Sequence, residues 1–232
     1  MPIGIESSRA NNALTLSSCH SPSPLTEGQR HANMESLYDY GSRVGFWRFH
    51  RLFTKKKVPC TVFAVGMALE RNPAVCHALK ETDWEVASHG YRWIDYQNVD
   101  AETEKEHIAR TIKIHEKLLG KRPVGFYQGK VLYSIAVFII YGARCIIVWD
   151  LTLCLPLSQP NINTRGLVVE EGGFKYDSDS YADELPYWTL DYGSEPHLII
   201  PYTLTTNDMR FVSPSNYSTG GDFCQHLKET LK

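Results

Sequence analysis

Short apolar runs alternate with capped helices between Val58 and Gly120, and that alternation restricts the chain to a few architectures. Val58–Val65 is rich in β-formers and ends at Gly66, which reads as a buried strand. Asn72-Pro73 places an N-cap before a proline at the first helical position, so a short helix is predicted to about Glu81. Trp84–Ala87 reads as the next strand. Asp100 then caps a helix with Glu102 and Glu104 in its first turn, Ile108, Ile112, Leu118 and Leu119 along its apolar stripe, and Gly120 past its end. An earlier helix is predicted from Asn33 through Leu52, where Gly41 and Gly45 allow close packing. Leu167–Glu171 reads as a helix stopped by Gly172-Gly173, His197–Tyr202 as a strand, and a last helix starts near Asp222. Strand–helix alternation of this kind favours an α/β fold with parallel strands.

The 232 residues suffice for one full core, and 43% apolar with 22% charged residues is ordinary for a globular chain. A net charge of -2 gives no electrostatic case for nucleic acid or an anionic membrane surface. Lys55-Lys56-Lys57 reads as a solvated helix end. The six cysteines are scattered without a C-x-x-C pair, against a zinc knuckle or a disulfide framework, and Cys60 and Cys76 sit in apolar patterns as small hydrophobes. Met1–Pro24 is rich in Ser, Asn and Pro and lacks the apolar core of a secretory signal, so a cytoplasmic protein is expected, with residues 1–26 loosely attached. Val131–Leu157 fits no simple pattern. It is long and apolar enough for a membrane span, but Arg144 and Asp150 would be costly there; a pair of buried strands is the other reading.

Chemistry concentrates in Glu85-Val86-Ala87-Ser88-His89-Gly90-Tyr91-Arg92-Trp93, where an apolar run ends in a His–Gly pair. Loops just past strand C-termini are where barrel enzymes place reacting groups, and Gly90 permits close approach to the backbone. His89 there is a candidate general acid or base, electrostatic donor or metal ligand, weighed against a core histidine satisfied by a carbonyl. His107 and His115 lie too far apart on one helix for a metal pair and are expected at the surface.

The stretches Gln29–Tyr38 and Gly45–Arg48, the His89 segment with Ile94-Asp95-Tyr96, Arg122–Tyr127, Leu167–Phe174, Tyr176-Asp177-Ser178-Asp179, Asp183–Trp188 and Pro201–Phe211 together resemble the polysaccharide deacetylase (NodB-homology) superfamily, more narrowly its allantoinase-like branch. The resemblance implies an incomplete (β/α) barrel and hydrolysis of a carbon–nitrogen bond. In the metal-dependent deacetylases a His-x-x-x-His pair and a first-strand aspartate hold a divalent ion. His89 matches the first histidine, but Trp93 occupies the second slot, a substitution that the resemblance links to ring-opening of a cyclic ureide such as allantoin without the usual metal triad. No cofactor is therefore expected. On the same resemblance, His89 and Asp183 are candidate catalytic residues, and Tyr91, Arg92, Trp93, Tyr127, Asn207 and Asp208 candidate substrate contacts.

The chain departs from the family in three places. The family's acidic first strand and its closing strand are not found, so the first and last strands of the barrel are expected to be missing. The domain is read as residues 27–232, with 131–159 as an apolar insertion. Two other functions stay open: a metal-dependent deacetylase of chitin or another N-acetylated sugar, and a non-catalytic fragment associated with a membrane through Val131–Leu157. The partner is a small cyclic ureide or an N-acetylated sugar, not nucleic acid, and assembly as a homo-oligomer is allowed.

Overall fold

A computed structural model describes residues 39–92, 94–129, 137–141, 144–148, 160–203, 205–206 and 218–230. A π-helical turn at Gly41–Gly45 leads into α1 (Phe46–Lys56), followed by β1 (Cys60–Ala64), α2 (Gly66–Arg71), α3 (Pro73–Lys80) and β2 (Glu85–Ser88). Next come α4 (Ala101–Leu119), β3 (Gly125–Phe126), β4 (Val137–Tyr141), β5 (Arg144–Val148), α5 (Thr164–Glu171) and β6 (Tyr176–Asp177). The order closes with β7 (Tyr187–Thr189), β8 (His197–Ile199) and α6 (Gly220–Thr230).

The eight strands form one sheet in the order β4-β5-β1-β2-β3-β6-β8-β7. Pairing is parallel from β5 through β8 and antiparallel only at the two outer pairs, β4 with β5 and β7 with β8. This is the α/β architecture expected from the alternation. β1 is buried along its whole length because its two faces serve two cores. Cys60, Val62 and Ala64 face a layer containing Phe46, Phe53, Leu69, Val75, Leu79 and Ile114. Phe63, one step out of phase, faces Ala87, Tyr127, Tyr176 and Tyr202. A third cluster joins Ile108 and Ile112 of α4 to Phe126, Val168 and Phe174.

Local sequence sets the helix limits. Asn72 Oδ1 accepts the Val75 N–H at 3.4 Å, with Pro73 opening α3. Asp100 accepts both the Thr103 N–H and its hydroxyl at 2.8 Å, and Gly120 ends α4 at φ 76°. The lysines 55–57 are exposed at the end of α1. Cys60 and Cys76 are buried, as their apolar surroundings in the sequence predict.

Several elements depart from the sequence reading. The first helix runs on to Lys56, and the part of that prediction before residue 39 lies outside the described residues. β1 is shorter than the predicted Val58–Val65, running from Cys60 to Ala64, and Gly66 opens α2, where a Cβ would stand only 3.1 Å from Thr111 Oγ1 of α4 because the two helices pack closely. The strand predicted to Tyr202 stops at Ile199, and α5 begins earlier, at Thr164. Within the ambiguous apolar stretch, residues 137–141 and 144–148 form a hairpin whose second strand lies beside β1. Among the described residues no helix is long and apolar enough to cross a membrane.

His115 corrects the expectation of a surface residue. It is fully buried because it falls on the same face of α4 as Ile108, Thr111 and Ile112, at helical spacing. His107 is half-buried, with Nδ1 2.8 Å from the Tyr96 hydroxyl. Replacing Phe63, which is 0% exposed, with Ala is expected to destabilise the chain by about 3–5 kcal/mol. Leu52→Ala, at a position 49% exposed, is expected to stay within about 0.5 kcal/mol. Urea unfolding checks the pair, and similar midpoints for both variants would contradict this account of the core.

Candidate active site

The parallel strands β1, β2, β3, β6 and β8 end on one side of the sheet, and the chain beyond each end is tied to its neighbour by backbone bonds. His89 N–H donates to Ala64 O at 2.9 Å, Tyr127 N–H to Ser88 O at 2.9 Å, and Ser178 N–H to Phe126 O at 2.9 Å. Ile200 N–H donates to Asp177 O at 2.9 Å. The His89 loop is also fastened from the helix side, where the first N–H groups of α2, Gly66 and Met67, donate to Gly90 O and Tyr91 O. Gly90 sits at φ 64°, and a Cβ there would overlap the Gln128 amide, so the position requires glycine twice over.

His89 has no exposed surface, and neither ring nitrogen has a hydrogen-bond partner among the described residues. Desolvation lowers its pKa to about 4, which keeps the ring neutral at physiological pH. The Tyr127 ring meets it edge-on at 5.0 Å between centroids. Tyr127 in turn stacks on Tyr202 at 5.0 Å with planes 6° apart, and its hydroxyl lies 3.2 Å from that of the exposed Tyr181. Burial raises the Tyr127 phenol well above the ordinary value, with the charges of Tyr202, Tyr181 and Asp179 adding to it.

Tyr176-Asp177-Ser178-Asp179 supplies two acidic groups at this end of the sheet. Asp177 is buried and receives Arg165 Nε at 2.9 Å, Arg165 Nη2 at 3.0 Å and His197 Nε2 at 3.1 Å. Burial alone would raise its carboxyl, but the bonds from His197 and Arg165 outweigh that and hold it below the usual range. Asp179 accepts the backbone N–H groups of Gln128 and Gly129, and packed protein around it together with the Asp177 charge pushes its carboxyl up to about 7. Its surface is nonetheless partly open, unlike that of His89.

The other sequence-derived candidates are spread more widely. Tyr91 is buried in the helix layer, with Arg110 stacked 4.1 Å above its ring and its hydroxyl 3.4 Å from Glu70. Arg92 is half-buried, and its charge joins burial in lowering the His107 pKa. Asp183 is exposed, and its Oδ1 accepts the neighbouring N–H groups of Glu184 at 2.7 Å and Leu185 at 3.1 Å. Trp93, Asn207 and Asp208 lie outside the described residues. The sequence alone assigns Asp177, Asp179, Gln128 and Arg165 no role. The signal available was an Asp-x-Asp pair whose first member closes a short strand.

A resident divalent ion needs three or four converging ligands. No such group of His, Cys, Asp or Glu occurs among the described residues, so the donors described do not fit one.

Residues 29–133 match the polysaccharide deacetylase family. A Schizosaccharomyces pombe protein that carries the polysaccharide deacetylase name is 35% identical over 212 residues, 87% of this chain and 59% of its own length. The solved structure of the allantoinase Puue is similar at 42% identity and a TM-score of 0.74, covering 94% of this chain and 62% of that one. A Pseudomonas aeruginosa PAO1 protein solved under the polysaccharide deacetylase name is similar at 44% identity and a TM-score of 0.74, again over 94% and 62%. This chain thus spans about three fifths of the length of these relatives. The likeness to the NodB-type deacetylases and their allantoinase-like members, read from sequence motifs, is shown, and the parallel sheet with its helices matches their (β/α) barrel.

The Asp179 carboxyl carries a consequence for stability. Its folded pKa is raised, so its contribution is full below the ordinary Asp range of about 4 and is lost as pH rises through about 7. Asp179→Asn, which cannot ionise, is expected to lose less stability than the parent between about pH 5 and about pH 8 in urea unfolding. An equal loss in both would contradict the assignment.

Proposed function

We propose that this chain carries a hydrolase site for carbon–nitrogen bonds and that the bond belongs to a cyclic ureide such as allantoin. The observation that carries the narrower reading is Trp93, which stands where the metal-dependent deacetylases place a second histidine. An indole offers one N–H donor and no lone pair for an ion. The similarity to the allantoinase Puue over 94% of the chain supports the same reading.

In the reaction, water adds to a ring carbonyl carbon, the bond from that carbon to nitrogen breaks, and the departing nitrogen takes a proton. A neutral His89 has one N–H to give to the developing oxyanion and one lone pair to accept a proton, which suits carbonyl polarisation or proton transfer. Because the ring is sealed in this structure, substrate reaches it only when covering side chains move. Tyr127 would wall the site beside His89. Asn207 and Asp208 offer the donors and acceptor that an amide-rich ring needs, and Arg92 would meet a carbonyl oxygen.

Deacetylation of an N-acetylated sugar is the second reading, favoured by the family match and by the relatives that carry that name. Incubating the purified chain with allantoin and, separately, with N-acetylglucosamine oligomers, each with and without EDTA, tests both. Chelator-resistant release of allantoate is the expected outcome. Acetate release that EDTA abolishes would replace the ureide reading with the sugar one.

A further inference from the structure

Asp179 lies just past β6 with its carboxylate turned onto the backbone that follows β3. Its Oδ1 accepts Gln128 N–H at 3.1 Å and Gly129 N–H at 2.6 Å, and its Oδ2 accepts Gln128 N–H at 2.9 Å. A carboxylate has about four lone-pair directions, so these bonds leave one on Oδ2. The residue is held from behind as well. Its own N–H donates to Asp177 Oδ1 at 3.0 Å, and Arg165 Nη2 donates to its carbonyl at 2.7 Å while the same guanidinium grips Asp177. Two backbone donors in front and an ion pair behind leave the carboxylate one orientation.

Its hydrogen-bond partners lead back to the candidate site. Gln128, whose N–H it accepts, packs its side chain over Gly90, next to His89. Tyr127, the residue before, touches the His89 ring and feels the Asp179 charge. Two other described acids near this end of the sheet are otherwise engaged. Asp177 is sealed and paired with Arg165 and His197, while Asp183 is exposed and caps its own loop.

We propose that Asp179 is the carboxylate that takes the proton from the attacking water, with Arg165 as the positioning residue behind it. The role rests on the hydrolase reading above. As the water oxygen bonds to the carbonyl carbon, its O–H bond breaks and the proton passes to Oδ2. The resulting carboxylic acid gives that proton to the departing nitrogen as the carbon–nitrogen bond breaks, which restores the carboxylate. A carboxyl raised to about 7 is matched to such two-way transfer near neutral pH.

The test compares the parent chain, Asp179→Asn and Asp179→Ala with allantoin and N-acetylglucosamine oligomers as probes. Asp179→Asn is expected to lower kcat by roughly 100-fold or more with KM changed only a few-fold. Formate, a small carboxylate, is expected to restore part of the rate to Asp179→Ala, and the parent rate is expected to rise with pH around 7. A merely structural clamp gives neither rescue nor that limb. An active parent whose Asp179→Asn variant keeps its kcat overturns the role and leaves the hydrolase reading standing. A folded parent that cleaves neither probe overturns the hydrolase reading, and the role with it. If neither variant folds, the parent profile decides: a limb near pH 7 supports the role, and a flat profile overturns it.

Discussion

Backbone hydrogen bonds that continue past the last strand residues hold the candidate-site end of the sheet in place. β3 and β6 are two residues long, yet the bonds from Tyr127 to Ser88, from Ser178 to Phe126 and from Ile200 to Asp177 extend the parallel register into the loops. Buried N–H groups need partners, and where no strand supplies one for Gln128 and Gly129, the Asp179 carboxylate does. The same side chain therefore completes the ladder and brings a charge to it. His89 is placed by the same logic, with its N–H on Ala64 and the next two carbonyls accepting from the start of α2.

Two histidines are buried at similar cost with different consequences. His89 and His115 both have ring nitrogens without hydrogen-bond partners among the described residues, and desolvation holds both near a pKa of about 4. His115 sits in the last third of α4, close to the Ala64 backbone at the end of β1. His89 sits at a strand end, against Tyr127 and beside a glycine that admits the Gln128 amide. Buried polar groups without partners are expensive, and native proteins retain them most often where chemistry needs them. Position in the sheet, rather than burial, is what distinguishes His89 from His115.

The parts of the fold that were legible in the sequence are those governed by local rules. Asn72-Pro73, Asp100 and Gly120 fixed helix ends because capping depends on a few adjacent residues. β1 and β2 were legible from apolar runs long enough to show a pattern. β3, β6 and β7 are too short for any periodicity and become strands only through their neighbours, so no single-sequence argument finds them. The place of His89 just past β2 was readable because an apolar run ends there in a His–Gly pair. The Arg165–Asp177–Asp179 arrangement was not, because it joins a helix start to a strand end and depends on pairing between β3 and β6. The burial of His115 was readable in principle from its spacing to Ile108 and Ile112, but a polar residue is easily assigned to the wrong face.

The central physical claim is that a neutral imidazole, without a hydrogen-bond partner among the described residues, stands just past the C-terminal end of β2. Titration of the histidine ring signals by NMR, with His89 identified by its loss in His89→Gln, tests it most directly. The account gives a midpoint of about 4, with the ring uncharged throughout the neutral range. A midpoint at or above the ordinary histidine value of about 6.5 would contradict it.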